Sequence, residues 1–265
     1  MTETYPPDPQ ARAPLWSKFP ILRLVPNTLT MLALISGLGA IYFALHAQWR
    51  WAVYAIMLAA VLDVLDGGAA RLFKCESRFG ARLDSISDGI GFGIAPAVMM
   101  WAWVLKDAGI IGALAAVVFA LCSAARLARF MIMSANPNVP AWTKGYFTGV
   151  PTPMGAGLGL LPMALAFQSG HDTAESLLVA GWLVFVGVLM ISRLPTPSLK
   201  GRRIARVLMI PVALAFGLLV TSLVINPWLT LVLADLAYLI SLPGSRARYL
   251  ARARKEEEKA AAGTP

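Results

Sequence analysis

Charge is scarce in this sequence: Asp, Glu, Lys and Arg make up 14% of its 265 residues, against 58% hydrophobic ones. So little charge excludes an ordinary soluble domain, which has no means of solvating its surface with that composition. Acids are the scarcer sign, 14 against 23 bases, for a net charge of +9. Cysteine is scarce too. Cys75 and Cys122 are too few for a disulfide framework, and both read as small packing residues. Also missing is the charged, then apolar, then small-residue pattern of a cleaved signal peptide. The first twenty residues are polar and proline-rich, so the first apolar span is expected to serve as its own insertion signal.

What is present is a series of long apolar runs. With roughly 20 apolar residues per crossing, spans fall near 27 to 46, 51 to 72, 84 to 105, 109 to 131, 152 to 168, 176 to 193, 207 to 225 and 228 to 242. The expected fold is therefore all-α, a polytopic membrane helix bundle of about eight transmembrane helices. It divides into a cytoplasmic N-terminal segment 1–23, a membrane domain 24–243 and a basic cytoplasmic tail 244–265. The tail is expected to be a frayed surface helix ending in disorder.

All of the 23 bases except Arg50 and Lys106 fall in one alternate set of loops and at the two termini. Lys and Arg are retained on the cytoplasmic side of short loops, so both termini are expected in the cytoplasm. The basic surplus suits anionic membrane lipids, and no nucleic-acid partner is expected.

Against this apolar background one window stands out. Residues 63–88 read DVLDGGAARLFKCESRFGARLDSISD, with Asp63, Asp66, Asp84 and Asp88 at the cytoplasmic ends of the second and third spans. An acid inside a membrane segment is by default a functional residue. Asp63 and Asp66 are three apart and Asp84 and Asp88 four apart, so each pair lies along one helix face. Four clustered carboxylates repel one another unless cations sit among them. Hard oxygen ligands select Mg²⁺ or Mn²⁺, and two such ions clamp a phosphoryl group undergoing displacement. Gly67 leaves room beside the backbone, while Arg71 and Ser77 offer a cation and a hydroxyl for phosphate oxygens. Asp235, alone in the last span, is expected to pair with a neighbouring helix. The glycine spacings Gly89 to Gly93 and Gly155 to Gly159 are expected to serve helix packing.

The window reads D-x-x-D-G-x-x-A-R, eight residues, then G-x-x-x-D-x-x-x-D, from Asp63 through Asp66, Gly67, Ala70, Arg71, Gly80 and Asp84 to Asp88. This resembles, without a gap, the signature of the CDP-alcohol phosphatidyltransferases, membrane enzymes that exchange the CMP of a CDP-linked lipid for an alcohol. The resemblance implies a six-helix core with spans seven and eight as an extension, and a homodimer. It implies metal ligation by Asp63, Asp66, Asp84 and Asp88, with Asp88 also the base that deprotonates the attacking hydroxyl. Asn27, Thr30, Gly67, Arg71 and Ser77 would contact the nucleotide and its diphosphate.

The stretches PNTLT at 26–30, LDSISDGIGFGIAPA at 83–97, RLARF at 126–130 and YFTGVPTPMGA at 146–156 resemble the bacterial serine-accepting branch of that family. Met131 stands where that branch usually has Asn, and Thr152 where Ser or Ala is commoner. The substrates so implied are CDP-diacylglycerol and L-serine, with the bacterial inner membrane as location. Arg126, Arg129 and Lys144 are the cations for the serine carboxylate or for phosphate. The same chemistry with glycerol 3-phosphate, inositol or choline stays open, as does, more remotely, an ion-coupled transporter. Transporters commonly carry paired internal repeats, and no second copy of the acid cluster is seen.

Overall fold

The computed structural model describes residues 24–73, 75, 77–134, 146–192, 194–197, 217 and 221–262. Six helical rods follow one another from residue 24 to 191. They are α1 (Leu24–Leu45), α2 (Trp49–Phe73), a composite third rod, α5 (Gly109–Ser134), α6 (Thr152–Gln168) and α7 (Ser176–Ile191). A long last helix, α8 (Pro227–Ala262), ends the described chain. The expected helices at 152–168 and 176–193 are found within two residues. The seventh expected span lies mostly outside the described residues, which include only 217 and 221–225 of it.

Burial is inverted relative to a soluble protein. On α1 the inward positions are Pro26, Thr30, Ala33, Gly37, Ala40 and Ala44, at spacings of three and four. The large residues Leu32, Ile35, Leu38 and Tyr42 face outward. Such outward apolar faces suit lipid, while small inward residues let helices approach closely where no hydrophobic force drives them together. Ser36 Oγ accordingly reaches the Ala55 carbonyl of α2 at 2.8 Å. Gly37 meets Gly91 so closely that a Cβ built there lies 2.8 Å from the Gly91 Cα. Among the described residues, Leu24–Leu45, Trp49–Phe73, Leu105–Met133 and Pro227–Ser245 are long and apolar enough to span a membrane, and Ser176–Ile191 is a shorter apolar helix. The protein is an all-α, multi-pass membrane protein.

The third rod differs from its expected bounds. It comprises α3 (Arg78–Asp88), a π-helical turn Gly89–Ile94 and α4 (Ala95–Trp103). It begins six residues earlier than the hydrophobic run because Ser77 caps it, accepting a hydrogen bond from the Gly80 amide at 3.0 Å. Gly80 thus lies inside the first turn instead of before the helix. The π turn ends where Pro96, lacking an N–H, enters the helix, and Ala95 N donates five residues back to Ile90 O. The rod then closes through a 3₁₀ turn at Leu105–Ala108 and Gly109, whose φ of 58° suits glycine.

Two further features lay outside the expectation. Tyr146–Thr148 (β1) and Pro195–Pro197 (β2) pair antiparallel, joining the segments before α6 and after α7. The last helix runs through Pro243 to Ala262, 36 residues, about 54 Å at 1.5 Å per residue. It exceeds the ~30 Å hydrocarbon core, so residues 244–262 continue the membrane helix instead of forming a separate frayed one. Phe167 of α6 stacks on Trp228 of α8 with ring centroids 4.7 Å apart, and fixes the start of α8 against the far end of α6.

The glycines meet other helices as expected: Gly89 faces Leu127, Gly93 faces Ser123, Gly155 faces Met190 and Gly159 faces Phe119. Cys122 is buried against Gly187. Among the described residues Asp235 finds no hydrogen-bonding partner for its Oδ2. It is 3% exposed and lies against Gly157 of α6.

Candidate active site

The acid cluster forms where α2 and α3 converge. One carboxylate oxygen from each of Asp63, Asp66 and Asp84 lies within 4.8 Å of the others. The two helices are brought together by α1, which packs on both. Thr30 of α1 donates from Oγ1 to Asp66 Oδ2 at 2.5 Å, and Ser87 Oγ of α3 donates to the Thr30 carbonyl at 3.4 Å. Thr30 and Asp66 are 3% and 4% exposed. Thr30 therefore stands behind the carboxylate and sets its orientation.

Asp88 lies one turn beyond Asp84 on the same helix face. Its carboxylate shares the electrostatic field of Asp63, Asp84, Asp66 and Arg126. The three-oxygen cluster fits a hard divalent cation. Its donors are all carboxylate oxygens, they converge from two helices, and without a cation their charges oppose one another.

The remaining expected residues surround this cluster unevenly. Asn27 is one turn before Thr30, and a Cβ at Gly80 would lie 2.9 Å from its Oδ1, so Gly80 is what lets α3 seat against Asn27. Gly67 has only Arg71 Nη1 near its missing side chain, at 4.0 Å, and Arg71 is exposed. Ser77 is exposed and serves as the cap of α3. Lys144 lies outside the described residues.

The two arginines of α5 part company. Arg126 is buried and donates from Nη1 to Thr152 Oγ1, at the start of α6, at 2.5 Å. Its guanidinium carbon lies 5.6 Å from the Phe130 ring centroid. Arg129 instead turns to the C-terminus of α7. Nη1 donates to Ile191 O at 2.6 Å, and Nη2 to Ser192 O at 3.2 Å and Met190 O at 3.4 Å. A cation closing the carbonyl end of a helix is favoured by the helix dipole. Gly149, at φ 83°, donates to Leu194 O at 2.8 Å beside it. Of the two, Arg126 is the one that shares the electrostatic field of Asp88. Thr152, visible in the sequence only as a departure from the family pattern, is the residue that sequence reasoning passed over here.

Comparison with known proteins agrees with the geometry. The family model for CDP-alcohol phosphatidyltransferase matches residues 23–193, which contain every described site residue above. A CDP-diacylglycerol–serine O-phosphatidyltransferase of Mycobacterium leprae is 34% identical over 224 residues, covering 84% of this chain and 74% of the relative. Proteins of the same name from Helicobacter pylori (34% over 181 residues, 68% of this chain and 74% of the relative) and Bacillus subtilis (30% over 179 residues, 68% and 93%) are also similar. With carboxylates from α2 and α3 gathered at the spacing of the family signature, and the family model spanning most of the chain, this protein belongs to the CDP-alcohol phosphatidyltransferase family.

Proposed function

We propose that this chain is a phosphatidylserine synthase: it transfers the phosphatidyl group of CDP-diacylglycerol to the hydroxyl of L-serine and releases CMP. The observation that carries the reading is the convergence of Asp63, Asp66 and Asp84 beside Asp88 and Arg126. The names of the Mycobacterium, Helicobacter and Bacillus relatives support serine as the acceptor.

Asp63, Asp66 and Asp84, with Asp88 as a further ligand, would hold two Mg²⁺ or Mn²⁺ ions. Divalent ions held by these carboxylates would supply charge neutralisation at the diphosphate and at the departing CMP. Asp88 accepts the proton of the serine hydroxyl as its oxygen forms a bond to the lipid-bearing phosphorus. The bond from that phosphorus to the CMP oxygen breaks, and CMP leaves with the electron pair. Asn27, Gly67, Arg71 and Ser77 line the approach for the nucleotide and diphosphate. Thr30 keeps Asp66 oriented. Arg126 receives the serine carboxylate, a role for which its planar fork is suited.

The reading extends to the whole chain. Residues 24–243 form the catalytic membrane domain between a short N-terminal segment, 1–23, and a basic tail, 244–265. The enzyme sits in a bacterial inner membrane as a homodimer, both termini in the cytoplasm, with its basic residues toward anionic lipids. To test the reaction, purified protein is incubated with CDP-diacylglycerol, Mg²⁺ or Mn²⁺, and each labelled acceptor in turn. Labelled lipid from serine is expected. Label from glycerol 3-phosphate, inositol or choline but not from serine rejects the serine assignment while leaving the family chemistry intact.

A further inference from the structure

Arg126 is 7% exposed, yet its bond to the neutral Thr152 hydroxyl is its one hydrogen bond among the described residues, and no carboxylate there pairs with it within 4 Å. A guanidinium carries five N–H donors. A buried cation left so incompletely matched is costly unless an anion arrives to complete it. The mismatch contrasts with Arg129, three residues on, whose donors close the end of α7.

The surroundings hold Arg126 from two sides. Thr152, fully buried, fixes one nitrogen from the start of α6. The Phe130 ring centroid lies 5.6 Å from the guanidinium carbon, on the next turn of α5. Asp88 of α3 shares the electrostatic surroundings of the same guanidinium. An acidic acceptor bound to Arg126 would therefore present its hydroxyl on the side of Asp88.

We propose that Thr152 is a positioning residue that holds Arg126 as the receptor for the acceptor's anionic group. The inference rests on the acceptor reading above for the identity of the anion, but not on serine itself. A carboxylate or a phosphate would be recognised by the same fork.

The test uses purified full-length protein with CDP-diacylglycerol and divalent cation, comparing wild type with T152V and T152S. A hydrogen bond to a charged group is worth about a factor of ten in binding. T152V is accordingly expected to raise the serine KM about tenfold and T152S to restore it to within about twofold. The KM for CDP-diacylglycerol stays at the wild-type value in both. A misfolded fraction lowers kcat without changing KM, so the comparison remains readable where yields fall. A wild-type serine KM in T152V, or a parallel rise in the KM for CDP-diacylglycerol, overturns the inference. If the wild type uses glycerol 3-phosphate and not serine, the serine assignment fails, and the same comparison made with that acceptor decides the positioning role separately.

Discussion

The hydroxyl of Thr30 on α1 lies 2.5 Å from Asp66 Oδ2 on α2, with both side chains buried. The bond removes one degree of freedom from a carboxylate that must face its neighbours on α2 and α3. Partners behind a metal ligand typically change metal affinity by about 10- to 100-fold. Thr30→Val is expected to raise the Mg²⁺ or Mn²⁺ concentration for half-maximal activity by about tenfold or more. A metal titration of turnover checks this, and an unchanged midpoint removes the orienting role.

Asp88 is assigned the proton of the attacking hydroxyl, a task worth about 10²- to 10⁴-fold in rate. Asp88→Asn should lower kcat by an amount in that range while CDP-diacylglycerol still binds. Turnover near the wild-type level in the purified variant rules out Asp88 as the base.

Three carboxylate oxygens within 4.8 Å repel one another when no cation lies among them. Chelation of divalent ions should therefore abolish turnover and lower the thermal midpoint of the wild-type protein. In Asp84→Asn one negative charge is gone, so the chelator should lower the midpoint less. Thermal unfolding with and without chelator compares the two. An equal drop in both proteins speaks against a shared cation.

The two arginines of α5 should separate cleanly. Arg129→Ala frees the carbonyls of Met190, Ile191 and Ser192 and is expected to cost about 1–3 kcal/mol of stability with little change in serine KM. Arg126→Ala should raise the serine KM strongly. Steady-state kinetics and thermal unfolding on both variants give the contrast, and matching effects on KM contradict it.

Gly37 and Gly39 are two residues apart but lie in different surroundings. A methyl group at Gly37 would come 2.8 Å from Gly91 Cα, whereas at Gly39 it meets nothing within 4 Å. Gly37→Ala should cost about 1–3 kcal/mol and reduce activity, because it pushes the rod carrying Asp84 and Asp88 away from α1. Gly39→Ala should be close to neutral. Thermal midpoints in detergent measure the difference, and equal midpoints contradict the close crossing.

Much of the site is legible along the chain because helical periodicity is local. Asp63 and Asp66, like Asp84 and Asp88, share a face by spacing alone, and the apolar runs reveal the helices that carry them. The start of α3 was less legible, since Arg78, Gly80 and Arg82 interrupt the apolar pattern there and the cap at Ser77 decides it. The extent of α8 was hidden for the opposite reason. Its basic, alanine-containing end is good helix-forming sequence but not membrane-like, so hydropathy ended the span near 242 while the backbone continued to Ala262.

Composition and residue spacing alone determined a multi-pass helical membrane protein with an acidic centre on its second and third spans, because burial in lipid and the 3.6-residue turn act on neighbours in sequence. Only the tertiary structure decided which groups serve that centre. Thr30 meets Asp66 across 36 residues, Arg126 meets Thr152 across 26, and Arg129 meets the end of α7 across about 60. Such pairings depend on how closely α1, α5, α6 and α7 pack, which is set by small residues on facing surfaces and is not written in any one segment.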